Sequence, residues 1–528
     1  MQVRPKRKAP RWKGAEATQK VPAESYTFSA PVRGWVLNEP LIGVQPGGAR
    51  ILDNWICTTK GARVRGGCVE LVNITDPVVG LFGYKSTAER LFAATDAGIF
   101  EASAGGASAV TGLTSGDFSS VQFGTAGGDF LYAVNGADDA QLFDGATWRA
   151  IDDVSTPYAI TGVPTSDLSQ AWSFGSRVWF VEKNTLSAWY LGPGNVSGTA
   201  TELSLASVFT KGGSLLFGAK WSLDAGDGLD DKCVFVTTEG EVAVYEGTDP
   251  GSASTWSRVG LYNMPKPMGK RAFTQAGGDL LIATEGGLIP ISAVLKYDMG
   301  ALEGQAVSRP IAPYWGDKTQ RLIAKSWEMV KSSDIGCLVV SQPDPTGAEQ
   351  NCLMSNLITG SWSRITGWDA QCLAQFEGRT YFGAADGGVY LMDAGGSDNG
   401  AIYTASFLGT FEAMGVYGVQ KTIRQLRPIF ETGSDFEALV SANADYDETL
   451  GTPASSAVQS ADVWDTATWD TAVWDASAET RVSADWTAAG VTGSVIAPRL
   501  QIAFSGAARP SVNLVAIDAQ FHIGAMVA

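Results

Sequence analysis

A single histidine, His522, has to serve the whole chain. Serine–histidine and cysteine–histidine chemistries must therefore use that residue or be absent, and a centre built on paired histidines is excluded. His522 falls on the polar side of an alternating stretch, so a surface position is expected. Cysteine is also sparse. The six thiols (Cys57, Cys68, Cys233, Cys337, Cys352 and Cys372) include no C-x-x-C pair. That reads as buried free thiols rather than a disulfide scaffold or a zinc site. Only 18% of residues are charged, and no run of ~18 apolar residues occurs, so no membrane-spanning helix is expected. The basic start leads into Trp12, Gly14 and polar residues instead of an apolar run, which argues against a secretory signal and for folding in a cytoplasm. Walker, dinucleotide and EF-hand motifs are missing, so no cofactor or metal is expected.

What the chain does have is glycine, tryptophan and acid. Its 528 residues are too many for one ordinary core and point to two or three domains. The 62 glycines and 17 tryptophans suit many tight turns between aromatic-filled β layers. Acids exceed bases by 55 to 38, and a net charge of −17 argues against a chain that grips nucleic acid over its whole surface. The charge is segregated. Residues 434–486 hold eleven acids against one base, Arg481, and so carry −10 of the total. The first fourteen residues hold Arg4, Lys6, Arg7, Lys8, Arg11 and Lys13 with no acid. Two ends of opposite sign suggest different neighbours.

Between about 80 and 400 one unit returns: an apolar strand, a small acidic or glycine turn, and a second apolar strand. Leu91–Ala94 turns at Thr95-Asp96-Ala97-Gly98 into Ile99-Phe100. Leu281–Ala283 turns at Thr284-Glu285-Gly286-Gly287 into Leu288-Ile289. Turns centred near 96, 137, 183, 239, 285, 345 and 386 step by about 48 residues on average, close to the ~40–50 of a four-stranded propeller blade. Glycine and aspartate belong in such turns because tight hairpins need positive φ. Trp148, Trp256 and Trp362 each follow a glycine-containing turn and precede a basic residue within two positions. A tryptophan at one fixed place in a blade is expected to wedge between neighbouring sheets.

The fold expected is all-β: a six- or seven-bladed β-propeller at 50–400, preceded by a basic arm and lead-in strand at 1–49. A C-terminal antiparallel β-sandwich-like domain at 401–528 would contain the acidic segment 434–486. There Leu500, Ile502 and Phe504 face one way, the chain turns at 506–510, and Val515, Ile517, Ala519, Phe521 and Ile523 follow with Asp518, Gln520 and His522 opposite. That pattern predicts a half-exposed antiparallel hairpin.

Several residues could carry function, and each has an ordinary structural reading beside it. Asp144-Gly145-Ala146-Thr147-Trp148 matches the second half of a sialidase aspartate box, which would suit a propeller glycan hydrolase or depolymerase. Asp-Gly is also a common hairpin turn, and the turns before Trp256 and Trp362 lack the aspartate. Equivalent pockets at the three tryptophan turns would instead make a propeller lectin. Trp464, Trp469 and Trp474 recur every five residues, each followed by aspartate. Neither helix nor strand puts all three on one side. They stack on a ligand or pin an irregular segment to the sandwich. The basic leader is a partner- or DNA-binding arm, or a solvated tail.

Three stretches resemble a known family. Pro46–Arg50 with Leu52-Asp53-Asn54-Trp55, then Arg63-Val64-Arg65-Gly66-Gly67, resembles the opening of many phage tail proteins. Tyr403 to Phe411, followed by Lys421–Pro428, resembles the entry to their C-terminal domain, and the Trp-Asp tract and closing strand 515–525 complete the pattern. Together these resemble the nozzle, or tail tubular B-type, proteins of short-tailed bacteriophages, which include packaged-DNA stabilisation proteins. The resemblance implies a non-enzymatic virion protein of the tail. It implies a homohexamer below the portal and adaptor (connector) rings that forms the distal DNA ejection channel and carries fibres or spikes. Asp462, Asp465, Asp470, Asp475, Glu479 and Asp485 are then candidates for the channel lining or tip.

Overall fold

The computed structural model of the chain describes residues 23–41, 45–222, 231–344, 346–433, 436–452, 457–459 and 481–526. Its architecture is a β-propeller joined to a two-sheet β-sandwich. Blades 1 to 4 are four-stranded antiparallel sheets at 80–111, 119–151, 168–204 and 215–263. Blade 5 is a three-stranded sheet at 273–290, followed by helices Ile291–Val294, Met299–Gln305 and Ala312–Arg321. Blade 6 supplies four strands at 328–366. Blade 7 takes three strands from 372–391 and its outer strand, Val69–Asn73, from far upstream. Six four-stranded blades and one three-stranded blade therefore make the wheel, and an N-terminal strand closes it.

Closure can be followed through the cores, because successive residues of a buried strand face opposite neighbours. Phe92 and Leu131 share the core between blades 1 and 2, and Tyr132 and Phe180 the next. Trp179 meets Phe235, and Val236 meets Ile282. Leu281 packs with Leu338, Val339 with Phe382, and Tyr381 with Leu91, which returns to blade 1. This explains the unbroken apolar runs of the sequence: both faces of each middle strand are buried. The turn positions at 96, 137, 183, 239, 285 and 386 join the second strand of a blade to its third, and 345 lies outside the described residues.

Trp148, Trp256 and Trp362 open the fourth strands of blades 2, 4 and 6; the first two wedge against the neighbouring sheet as expected, and the third meets a helix instead. Trp148 meets Phe92 of blade 1 edge-on with ring centroids 5.0 Å apart. Trp256 stacks on Trp179 of blade 3 at 5.8 Å, and Trp362 lies 6.1 Å from Trp315 of the last helix.

The sandwich draws on both ends of the chain. One sheet combines Val419–Thr432 and Val512–Met526 with Glu24–Ser29, Trp55–Cys57 and Ala62–Val64. The other combines Tyr403–Gly409, Ala438–Ala444 and Ile496–Gly506 with Gly48–Asp53. A boundary at 49/50 thus does not coincide with a change of sheet, since residues 48–64 pair with strands beyond 400. The expected terminal hairpin is corrected as well. Ile496–Gly506 and Val512–Met526 belong to the two opposed sheets and do not pair with each other. Their apolar faces meet across the sandwich core instead, which satisfies the same alternation. A register shift beside Ala516 also turns Leu514 inward in the place expected for Val515. His522 is half-buried opposite Thr422, not at the open surface, because the long partner strand covers one edge of its own.

Candidate functional site

The second sheet does not stop at the sandwich. Gly34 pairs with Trp362 and Asp53 with Arg364, so the outer strand of blade 6 continues into it as one ten-stranded sheet. A joint is built around this continuity. Asn54 adopts φ +65° directly after Asp53, a left-handed conformation that asparagine tolerates better than most residues. Its side-chain amide donates to Thr366 Oγ1 at 2.8 Å and to the Thr404 carbonyl at 2.7 Å. Its Oδ1 accepts from Arg65 Nε at 2.8 Å.

Arg65 is fully buried. Its two Nη groups form a fork on Asp398, both at 2.7 Å, and also reach the carbonyls of Gly66 and Thr366. The guanidinium lies between two rings, 4.4 Å from Trp368 and 4.0 Å from Tyr403. Trp368 donates its indole N–H to Asp398, and the Tyr403 hydroxyl donates to the Arg65 carbonyl. A desolvated charge is tolerable only when paired and hydrogen-bonded, and here the carboxylate, amide and carbonyls meet it on every side. Two more arginine–carboxylate contacts flank it: Arg364 forks onto Asp53, and Arg63 forks onto Asp393, which also takes Arg509. The following glycines are required by closeness of backbone. A Cβ at Gly67 would overlap the Ser397 carbonyl, and one at Gly66 would press on the Asp393 backbone.

A second polar cluster closes the wheel's axis. A cavity of about 420 Å³ is lined by the first strands of blades 1 to 6. Asp117 and Glu328 face Lys270 and Arg271 there: Lys270 Nζ lies 3.2 Å from Asp117, and Arg271 lies 3.2 Å from Asp117 and 3.3 Å from Glu328. Burial raises the Glu328 carboxyl, with Arg271 opposing, and burial lowers the Lys270 ammonium, with Asp117 opposing. Asp117 bridges Lys270 and Arg271, Glu328 takes the other side of Arg271, and Lys325 adds to the field at Asp117, so the cluster ties the inner strands of several blades together.

The same inner strands carry a feature that was not read from the sequence. Adjacent first strands do not pair through their backbones; glutamine side chains stitch them. Gln170 exchanges two bonds with the Gly218 backbone at 3.1 and 3.0 Å. Gln122 does the same with Lys85, and Gln275 and Gln375 donate to the carbonyls of Lys220 and Lys331. A glutamine in the first strand of blades 2, 3, 5 and 7 was the available signal.

The sequence candidates divide sharply. Arg4, Lys6, Arg7, Lys8, Arg11 and Lys13 lie outside the described residues, as do Asp462, Asp465, Asp470, Asp475, Glu479 and the three tract tryptophans. Asp485 is exposed beside Trp486, over whose ring Arg427 sits at 4.8 Å. Asp144 caps its own turn, accepting from the N–H groups of Ala146 and Thr147 at 3.0 and 2.8 Å. All six cysteines are free and buried. Burial pushes the thiols of Cys68, Cys337 and Cys352 up to about 12 and the other three higher, which keeps them unreactive. Among the described residues no group of His, Cys, Asp and Glu is placed to hold a metal, and no helix is long and apolar enough to cross a membrane.

No protein-family model matches the chain, and no curated protein matches its sequence. Solved structures similar to it include the β-propeller domain of Swd1 from Myceliophteria thermophila, at 11% identity and a TM-score of 0.38, covering 65% of this chain and 99% of that one. Virginiamycin B lyase from Staphylococcus aureus aligns at 12% identity and a TM-score of 0.37, over 60% of this chain and 95% of its own. The computationally designed Ika8 protein aligns at 11% and 0.35, over 61% and 99%. None of these likenesses bears on activity or partners.

Proposed function

We propose that this chain is a non-catalytic structural protein of the virion, the tail nozzle of a short-tailed bacteriophage. In this reading it forms a homohexamer under the adaptor rings, bounds the distal part of the DNA ejection channel, and seats fibres or spikes. One observation carries the reading. Three of the stretches that resemble the phage family, Leu52–Trp55, Arg63–Gly67 and Tyr403–Phe411, converge on the Arg65 joint. A ring part that transmits force during ejection needs its two domains coupled, and a continuous sheet with a buried charge fork does that. The ion cluster on the propeller axis favours a DNA path between subunits over one through the wheel.

The acidic stretch supplies the surface chemistry of that path. Carboxylates repel phosphates within a Debye length of ~8 Å at physiological salt, so the genome slides without sticking. Asp462, Asp465, Asp470, Asp475, Glu479 and Asp485 are the proposed lining or tip. Changing the first four to asparagine is expected to slow DNA ejection from phage particles while rings still form. An unchanged ejection rate in a single-particle fluorescence assay would remove the lining from the account.

Electron microscopy of the purified full-length protein, alone and added to tails that lack it, tests the assembly. Sixfold rings are the expected result. Monomers that cleave a surface polysaccharide, or that bind a glycan array, would replace the nozzle with a hydrolase or a lectin.

A further inference from the structure

We propose that the groove between the turn at 58–60 and the loop at 509–513 is one half of a head-to-tail contact with a second copy of this chain, which fills it with its loop at 152–154. The inference rests on the ring reading above and names the surface that would close the ring. The groove encloses about 480 Å³, and among the described residues its charged lining is Lys60, Arg63 and Arg509, with the Glu431 carboxylate held at its edge by Asn513. Arg63 and Arg509 both bind the carboxylate of Asp393, and Arg379 and Asp334 add one charge of each sign nearby, so the group keeps an excess positive charge. Lys60 is exposed and makes no ion pair among the described residues. Burial together with the neighbouring guanidinium of Arg63 pulls Arg509 below its ordinary value, against the pull of Asp393, as expected where cations crowd. A chain of net charge −17 thus carries a recessed cationic site.

Its complement lies elsewhere on the same chain. A cavity of about 390 Å³ behind blade 2 is lined by Asp139, Asp152 and Asp153, with no base among the described residues. Asp152 accepts from the Val154 N–H and the Ser155 hydroxyl, which fixes the loop. Asp153 is exposed without an ion pair among the described residues, and Val154 beside it is 77% exposed, a large apolar side chain left in water. The groove belongs to the sandwich beside blades 6 and 7, and the loop follows the outer strand of blade 2. Two different patches of opposite sign on one subunit make a heterologous contact, the kind that closes into a ring when the rotation allows. DNA is the poorer occupant. Three cations in a recess cannot follow a backbone that a non-specific binder holds through roughly 6–10 phosphate contacts.

Lys60 and Asp153 give the clean test because neither is tied into the fold by an ion pair. In native mass spectrometry and sedimentation of the full-length chain, Lys60→Glu and Asp153→Lys are each expected to weaken self-association at least about tenfold. The chain carrying both is expected to regain it, and an equal mixture of the two single variants should form alternating rings. Moving from 0.15 M to 1 M salt, which shortens screening from ~8 to ~3 Å, should open wild-type rings. Single variants that assemble like wild type would overturn the groove contact and leave the ring reading standing. A wild-type chain that forms no ring alone or on tails would remove both. Normal assembly with lost DNA retention by Lys60→Glu would reassign the groove to nucleic acid.

Discussion

Replacing Arg65 by alanine is expected to lower the stability of the fold by about 3–5 kcal/mol, the cost of stripping one partner from a buried ion pair. The size follows from what is left behind. Asp398 would keep only the indole N–H of Trp368 among the donors now on its Oδ1, and would lose both arms of the fork. The carbonyl of Thr366 and the Oδ1 of Asn54 would each lose a donor, and the facing rings of Trp368 and Tyr403 would border a void. Lysine is no substitute, because one ammonium cannot span two carboxylate oxygens, an amide and two carbonyls while lying flat between rings. Denaturant unfolding of Arg65→Ala and Arg65→Lys measures this directly. Hydrogen exchange should rise first in Gly48–Asp53 and Tyr403–Gly409, the strands joined at this point. A loss under about 1 kcal/mol would mean that solvent reaches the joint and that the coupling of wheel to sandwich lies elsewhere.

The wheel was legible because its signals are local. A turn, a glycine and two flanking apolar strands fit within a dozen residues, so Thr95–Gly98 or Thr284–Gly287 identifies itself without knowledge of the rest. Count and spacing then gave seven positions. The sandwich was legible only as alternation. Nothing within 500–523 says whether the two strands pair or face each other, since both arrangements bury Leu500, Ile502, Ile517 and Phe521. The answer depends on Val419–Thr432 and on Gly48–Asp53, which lie far away in sequence and claim the edges first. Arg65 was invisible as a keystone for the same reason: its partners Asn54, Thr366, Asp398 and Tyr403 span some 350 positions. The glutamine stitches were missed because glutamine in a strand reads as an exposed position, whereas on a propeller's inner edge it replaces a missing backbone partner.

Trp179→Ala is expected to cost about 3–5 kcal/mol, the range for truncating a large buried aromatic. Trp179 is fully buried on the second strand of blade 3. Its ring stacks on Trp172 at 5.6 Å and on Trp256 at 5.8 Å, and meets Phe235 of blade 4 edge-on at 5.9 Å. The indole N–H donates to the Phe174 carbonyl at 3.1 Å, so truncation also orphans an acceptor. Collapse cannot fill the space cheaply. Blades 3 and 4 are held apart by their other neighbours round a closed circle, and moving one sheet inward would open the next interface at Tyr132 and Phe180 or at Val236 and Ile282. The half-buried Trp148 between blades 1 and 2 provides the control, with Trp148→Ala expected to cost less than half as much. Equal losses at the two sites in chemical denaturation would mean that the circle does not constrain relaxation, and that each blade interface yields independently.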